Sequence, residues 1–489
     1  MEHLYDKLTE YASGEDYPYH MPGHKRHVYG EMPPDAYAMD LTEIDGFDDL
    51  HAPKGILREL QERVAKLYGA DESFCLVGGS TAGILAALSA ALPVGGRLLM
   101  ARNGHKAAYH ASYLRSLRVT YLLPGIVDGF GICDAVRPEE VASALDHAPD
   151  TQAVLIVSPT YEGRISPIRE IAELVHARGK ILIVDEAHGA HLGLAGKWRT
   201  DAFLYQDEAS KARSVITENS CQAGADIVIH SVHKTLPAMT QTALLHVNGD
   251  RVDREKLRRF LRIYQSSSPS YVLMASIDNA VTLMERDGER LLGDLVKEFT
   301  LLKKELSVCR HFRILDDIHQ DVGKLVIHAG NSGLTGQQIY DILREKYHLQ
   351  LEMAAGDYCL AMFTVGDTQE GYQRLRDALL EMDAQAGSSC KEFGLNKVPY
   401  NSEAPVIARN LKEAWDAPWE ETELAACEGR ISAEFVNLYP PGTPIVVPGE
   451  IFTKKIVKML LCYLAQGLRL RGVSEEGTVR CLMEVRSDR

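Results

Sequence analysis

The sequence predicts an α/β fold built on a mainly parallel sheet, and three observations carry that expectation. Between residues 56 and 250, apolar runs of strand length alternate with stretches at helical spacing. One run, Lys180-Ile-Leu-Ile-Val-Asp185-Glu186-Ala187-His188, ends in an acid. Another, Phe74-Cys-Leu-Val-Gly78-Gly79, ends in a glycine turn that opens a helical pattern. Open α/β sheets bind ligands at such strand ends.

Taken in order, residues 1–55 show little periodicity but many Pro, Gly, His and Asp, as in Tyr19-His-Met-Pro-Gly-His-Lys-Arg26, and are expected to form a packed N-terminal arm. Gly55 to Tyr68 spaces its apolar residues for a helix, and Thr81 to Leu92 is apolar enough to be a buried one. Strands are expected at Arg97 to Ala101, Val119 to Leu123, Ala153 to Ser158, Ile181 to Asp185 and Asp226 to His230. Helices at 251–263 and 271–308 lead out of this large domain, 56–308. A small α+β domain, 309–386, is expected around Lys324-Leu-Val-Ile-His328 and Tyr358-Cys-Leu-Ala-Met-Phe363. Gln385-Ala-Gly-Ser-Ser-Cys390 reads as a linker to a C-terminal domain, 387–489, with a last helix over Phe452 to Arg469.

Composition bounds the function. Lys+Arg is 53 against an Asp+Glu of 68, a net charge of −15, which argues against nonspecific binding to nucleic acid. The 9 cysteines include no CxxC pair and read as reduced thiols. No apolar run is long enough for a membrane span, and the N-terminus has no apolar signal core. A cytoplasmic protein with no metal site is expected.

The chemistry is concentrated in a few motifs. Gly78-Gly79-Ser80-Thr81 lies between a strand and a helix, where free N–H groups and the helix dipole suit a phosphate; the same residues also make an ordinary helix cap. Asp185 can cap a helix, bind a metal, or pair with a pyridinium nitrogen; at an effective dielectric near 20 that pair is worth about 4 kcal/mol. Lys234, in Ser231-Val-His233-Lys234-Thr235-Leu236, is either a surface charge or a lysine that closes a Schiff base on an aldehyde. Phosphate turn, acid and lysine in this order describe a pyridoxal 5'-phosphate (PLP) site, with Ser231 and His233 reaching the phosphate. His105, in Arg102-Asn-Gly-His-Lys106, follows a strand and can stack on the ring.

These motifs resemble those of the bacterial ornithine/lysine/arginine decarboxylases, PLP enzymes of the aminotransferase-like fold. The likeness runs over His20-Met-Pro-Gly-His-Lys25, Asp40-Leu-Thr-Glu-Ile-Asp45-Gly-Phe-Asp-Asp-Leu50, Gly78–Thr81, Arg102–Lys106, Ser158-Pro-Thr-Tyr161, Val184–His191 and Ser231–Leu236. It continues through Gly429-Arg-Ile-Ser432, Tyr439-Pro-Pro-Gly442 and Pro448-Gly-Glu450. The resemblance implies a seven-stranded sheet in the large domain and the short form of the family, without an N-terminal wing domain. It implies that Lys234 carries PLP, Asp185 pairs with its pyridine nitrogen and His105 stacks on its ring. Gly79, Ser80, Thr81, Ser231 and His233 would hold the phosphate, while His188, one helical turn past Asp185, would lie near the phenolic oxygen. Decarboxylation of arginine to agmatine for polyamine synthesis is the expected activity, with Lys234 or His233 returning a proton to Cα. Lysine or ornithine as substrate, an aminotransferase or lyase reaction, and a PLP-binding regulator are the alternatives. Glu352, Asp357, Asp45 and Glu434 are the candidate acids for the substrate's distal cation. A homodimer or higher homo-oligomer is expected.

Overall fold

The computed structural model describes residues 15, 17–19, 43, 48–194, 204–205, 213–214, 218–386, 404–438, 444–465 and 468–483. The motifs at 20–25 and 439–442, and most of 40–50 with Asp45, lie outside the described residues.

Strand β1 (Tyr17–Tyr19) pairs in parallel with a strand of the small domain. The large domain holds β2 (Glu72–Leu76), β3 (Arg97–Ala101), β4 (Arg118–Leu122), β5 (Ala153–Val157) and β6 (Ile181–Asp185). After a short hairpin, β7 (Leu204–Tyr205) with β8 (Arg213–Ser214), come β9 (Ile227–His230) and β10 (Ala243–Val247). One seven-stranded sheet runs β2-β10-β9-β6-β5-β3-β4, and only β10 is reversed, antiparallel to β2 and β9. Strand β10 is the one that apolar pattern alone does not single out, because His246 interrupts its run.

Helices cover both faces, so strand residues alternate between two cores. Leu182 and Val184 of β6 enter one core with Val154 and Tyr68; Ile183 enters the other with Leu155 and Ile229. The helix Gly79–Ala91 is apolar nearly all round and lies close on the sheet. Gly83 permits that approach, since a Cβ there would stand 2.8 Å from Leu76 Cδ1.

The helix Tyr271–Leu306 leads to a four-stranded antiparallel sheet, β11 (Arg313–Ile314), β12 (Lys324–His328), β14 (Met353–Ala355) and β15 (Tyr358–Met362), ordered β11-β12-β15-β14. Strand β13 (Leu349–Leu351) pairs with β1 instead. The helix Gln369–Ala386 takes in the first residues of the expected linker. In the C-terminal part β16 (Trp419–Glu423), β17 (Val436–Leu438), β18 (Pro444–Val446), β19 (Leu470–Arg471) and β20 (Thr478–Leu482) form two small sheets. They share a core with the helix Lys454–Ala465, which is shorter than the run predicted over Phe452 to Arg469. Among the described residues no helix is long and apolar enough to cross a membrane, and the eight cysteines there are free thiols.

Candidate functional site

Three chain segments meet at one end of the large sheet. Asp185 closes β6 and lies in register with Ile229 of the neighbouring β9, which ends one residue later at His230. Ser231 then opens a single helical turn, Val232–Thr235, that presents Lys234. The glycine turn is tied to the loop after that turn: the Gly79 N–H donates to Gln241 O at 2.9 Å, and the Val232 N–H to Thr242 O at 3.1 Å.

Polar groups left open there fit a phosphate. Gly78 begins the helix Gly79–Ala91 with no side-chain cap for its first N–H groups. The hydroxyls of Ser231 and Thr235 are both buried and have no hydrogen-bond partner. They stand at the two ends of the short turn that carries Lys234. A buried hydroxyl without a partner costs about 1–3 kcal/mol, which an anion accepting both would remove.

Around Lys234 the side chains are close and mostly buried. His188 Nε2 is 3.0 Å from Lys234 Nζ, and its Nδ1 is 2.7 Å from the Nζ of Lys324, at the start of β12. The Tyr161 ring packs edge-on to His188 with centroids 4.8 Å apart, and its hydroxyl donates to Glu352. Burial pushes Lys234 below the usual lysine range, against the pull of Asp185 and Glu352. Burial also lifts the Asp185 carboxyl, against the Lys234 charge. His188 is held far below the imidazole range by burial and by the two lysines, so it is neutral. Residues 186–192 form turns, which corrects the expectation that His188 sits one helical turn past Asp185.

A second set of polar groups lies behind Asp185. Ser73 Oγ meets His246 Nδ1 at 2.7 Å, His246 Nε2 meets His230 Nδ1 at 3.0 Å, and His230 Nε2 meets Glu186 Oε2 at 2.7 Å. The Ser220 N–H and hydroxyl also donate to Glu186. Burial holds both histidines well below the imidazole range, so each carries one N–H. Burial lifts Glu186 to about 8, so the direction of the chain follows the Glu186 proton: the donors run toward Ser73 when Glu186 holds it and toward Glu186 when it does not. Tyr68 packs on both imidazoles, and its hydroxyl donates to Ala190 O.

His105 caps the helix Lys106–Leu114, its Nδ1 accepting the Ala107 N–H at 3.2 Å. Its ring opens to the cleft, and desolvation with the Lys234 charge pulls it down to about 3. His233 Nδ1 donates to Thr242 O at 2.9 Å. Of the candidate acids among the described residues, Glu352 is the one whose charge reaches Lys234. Asp357 faces Arg313, and Glu434 pairs with Arg480 in the C-terminal part. Pattern reading overlooked Thr235, Tyr161 and Lys324. Thr235 was available from its place beside Lys234. Lys324 carries no local signal, since a lysine ahead of an apolar run looks like any strand flank.

The C-terminal part reaches this region through Glu450. Its Oε2 accepts from Arg102 Nη2 at 2.9 Å, and Arg102 also donates to the Tyr109 hydroxyl and to Ile445 O. Arg102 and His105 belong to the same short loop after β3.

Comparison with known proteins gives this arrangement a context. The profile of the Orn/Lys/Arg decarboxylase major domain matches residues 2–333, and that of the C-terminal domain matches residues 401–476. The chain is 31% identical to the arginine decarboxylase of Bacillus subtilis, over 99% of this chain and 98% of that protein. It is 28% identical to the arginine decarboxylase of Bacillus anthracis, over 99% and 97%. Among solved structures, the Francisella novicida lysine decarboxylase LdcF superposes with a TM-score of 0.75 at 17% identity, covering 97% of this chain and 80% of that one.

Proposed function

Because the chain belongs to the Orn/Lys/Arg decarboxylase family, we propose that it is a cytoplasmic homo-oligomer, at least a dimer, that decarboxylates arginine to agmatine and CO2 with PLP. The observation that carries the substrate is the end-to-end similarity to proteins named arginine decarboxylase. The observation that carries the cofactor is the pair of unpartnered hydroxyls that flank Lys234, whose charge is felt by Asp185.

When bound, PLP supplies an electron sink for the bond that breaks at the substrate Cα. Lys234 would carry the cofactor through Nζ. Asp185 would keep the pyridine nitrogen protonated, His105 would lie against the ring, and His188 Nε2 would face the phenolic oxygen. Ser80, Thr81, Ser231 and Thr235 would hold the phosphate through N–H and O–H donors, while Gly79, whose N–H is committed to Gln241 O, would only let the backbone approach. His233 Nδ1 is committed to Thr242 O, so any contact with the phosphate or with the substrate proton would go through Nε2.

Each residue's work follows from its surroundings. Burial of Asp185 removes competing water and strengthens its grip on a positive nitrogen. The same dry site raises the energy of the substrate carboxylate that leaves. Lys234 Nζ, with His188 Nε2 at 3.0 Å, can return a proton to Cα and be resupplied. Glu352, steadied by the Tyr161 hydroxyl, is the acid for the guanidinium at the substrate's far end.

The test is product analysis with purified protein, PLP, and arginine, lysine or ornithine offered separately. Agmatine with matching CO2 is expected from arginine. Cadaverine or putrescine instead would move the substrate. No amine from any of the three, with cofactor retained, would move the reaction to another of the same fold.

A further inference from the structure

We propose that Gln241 is a positioning residue for the cofactor cup: its left-handed backbone aims a carbonyl just ahead of β10 at the phosphate turn and so fixes that turn against the one that carries Lys234. The inference rests on the reading of this end of the sheet as the PLP site, and adds to it the device that holds its two halves together.

The topology makes such a device available. The reversed strand β10 lies between β2 and β9. It therefore begins where those two strands end, at the end of the sheet that holds Asp185. Strand β2 runs on into the phosphate turn at 78–81, and β9 into the short turn of Lys234. Carbonyls of an extended chain alternate in direction, so two successive residues ahead of β10 can serve both neighbours. On the β2 side, Gln241 O accepts the Gly79 N–H at 2.9 Å. On the β9 side, Thr242 O accepts the Val232 N–H at 3.1 Å and His233 Nδ1 at 2.9 Å.

A bend at Gln241 aims the first of these carbonyls. Residues 239–242 form a β-turn, closed by the Thr242 N–H on Met239 O at 3.2 Å. The Thr242 hydroxyl donates to the same oxygen at 2.7 Å. Gln241 is the third residue of that turn, with φ at +79°. Glycine is favoured at such a position, because a side chain there crowds the backbone. The turn is pinned from behind, where the Met239 N–H donates to the Ser276 hydroxyl on the helix Tyr271–Leu306. A return of Gln241 to negative φ would swing its carbonyl away from Gly79 and release the phosphate turn from β10. Strain of this kind persists where the surroundings hold it and the site uses the geometry.

The experiment reads PLP affinity at equilibrium, by absorbance titration of the cofactor-free protein, beside its thermal midpoint by circular dichroism. Gln241→Gly adopts the left-handed turn freely and is expected to bind PLP within about twofold of wild type. Gln241→Val puts a β-branched side chain at that φ and is expected to bind PLP about tenfold more weakly. Gln241→Ala takes its place if the valine variant does not fold, with a smaller loss in the same direction. Ser116→Val imposes similar strain at φ +53°, two residues ahead of β4 and at the opposite end of the sheet. It is expected to lower the thermal midpoint and leave PLP affinity unchanged. An equal loss of affinity in Ser116→Val reduces the effect to general destabilisation and overturns the proposal. Wild-type affinity in a folded Gln241→Val overturns it too, as does a loss in Gln241→Gly as large as that of the valine variant. Borohydride trapping of PLP on the wild type tests the premise separately. Pyridoxyl on Lys234 supports it, and pyridoxyl on another lysine overturns it whatever the Gln241 variants do.

Discussion

Asp185 shows how much chemistry one buried carboxylate concentrates. It is 4% exposed, its Oδ1 accepts the Ala187 N–H at 3.2 Å, and burial lifts its pKa against the Lys234 charge. A carboxyl strained in this way gains more from a pyridinium than one in water does. Asp185→Asn keeps the shape and removes the charge, so it should fold and still take up PLP. Its kcat should fall about 10³-fold, the rate equivalent of about 4 kcal/mol; equal product rates for wild type and variant would reject the pairing. Asp185 and Lys234 were legible in the sequence because a strand-end acid and a later lysine after a second strand are a local pattern with a chemical purpose. Lys324 was not, because the side chain it meets, His188, lies 136 positions away.

At the level of strands, β2, β9 and β10 carry the chain of donors from Ser73 to Glu186. His246 is buried and neutral in the fold, whereas in the unfolded chain it takes up a proton below about pH 6.5. Its folded pKa is depressed, so the unfolded state binds more protons in acid and stability is lost as pH falls below that value. Wild type should therefore lose about 1.7 kcal/mol in all relative to His246→Gln between pH 6.5 and 5, measured by urea unfolding of both. A pH-independent difference would mean that the imidazole is charged in the fold. Six strands of the large sheet could be anticipated from apolar runs, and β10 could not, since its polar residue is explained only by partners on β9 and β2.

For the molecule as a whole, the joint between the large domain and the C-terminal part holds a buried ion pair, Arg102 with Glu450, beside a shared apolar core that includes Tyr109, Phe435 and Val447. Burial pushes the Glu450 carboxyl up and the Arg102 guanidinium pulls it back. Breaking such a pair by one substitution costs about 3–5 kcal/mol, because a buried charge is left alone. Glu450→Ala should lower the thermal midpoint, and the double replacement Arg102→Met with Glu450→Met should recover much of it. Equal midpoints for wild type and Glu450→Ala would show the joint to be carried by other contacts. The motif Pro448-Gly-Glu450 was visible in the sequence, but its partner was not, since nothing local tells a glutamate which domain it will face.

The reversed strand has one more consequence, for how the chain avoids folding wrongly. His246 stands opposite Ser73 on β2 and opposite Val228 on β9, two residues from His230 on the same face. Side chains alternate along a strand, so sliding β10 by one position would turn His246 into the opposite, wholly apolar core of Leu76, Ile229 and Leu245. Ser73 Oγ and His230 Nδ1 would then be sealed in without the imidazole that answers both. An all-aliphatic β10 could settle in several alignments of similar energy; this one accepts a single alignment, and the two imidazoles act as its key.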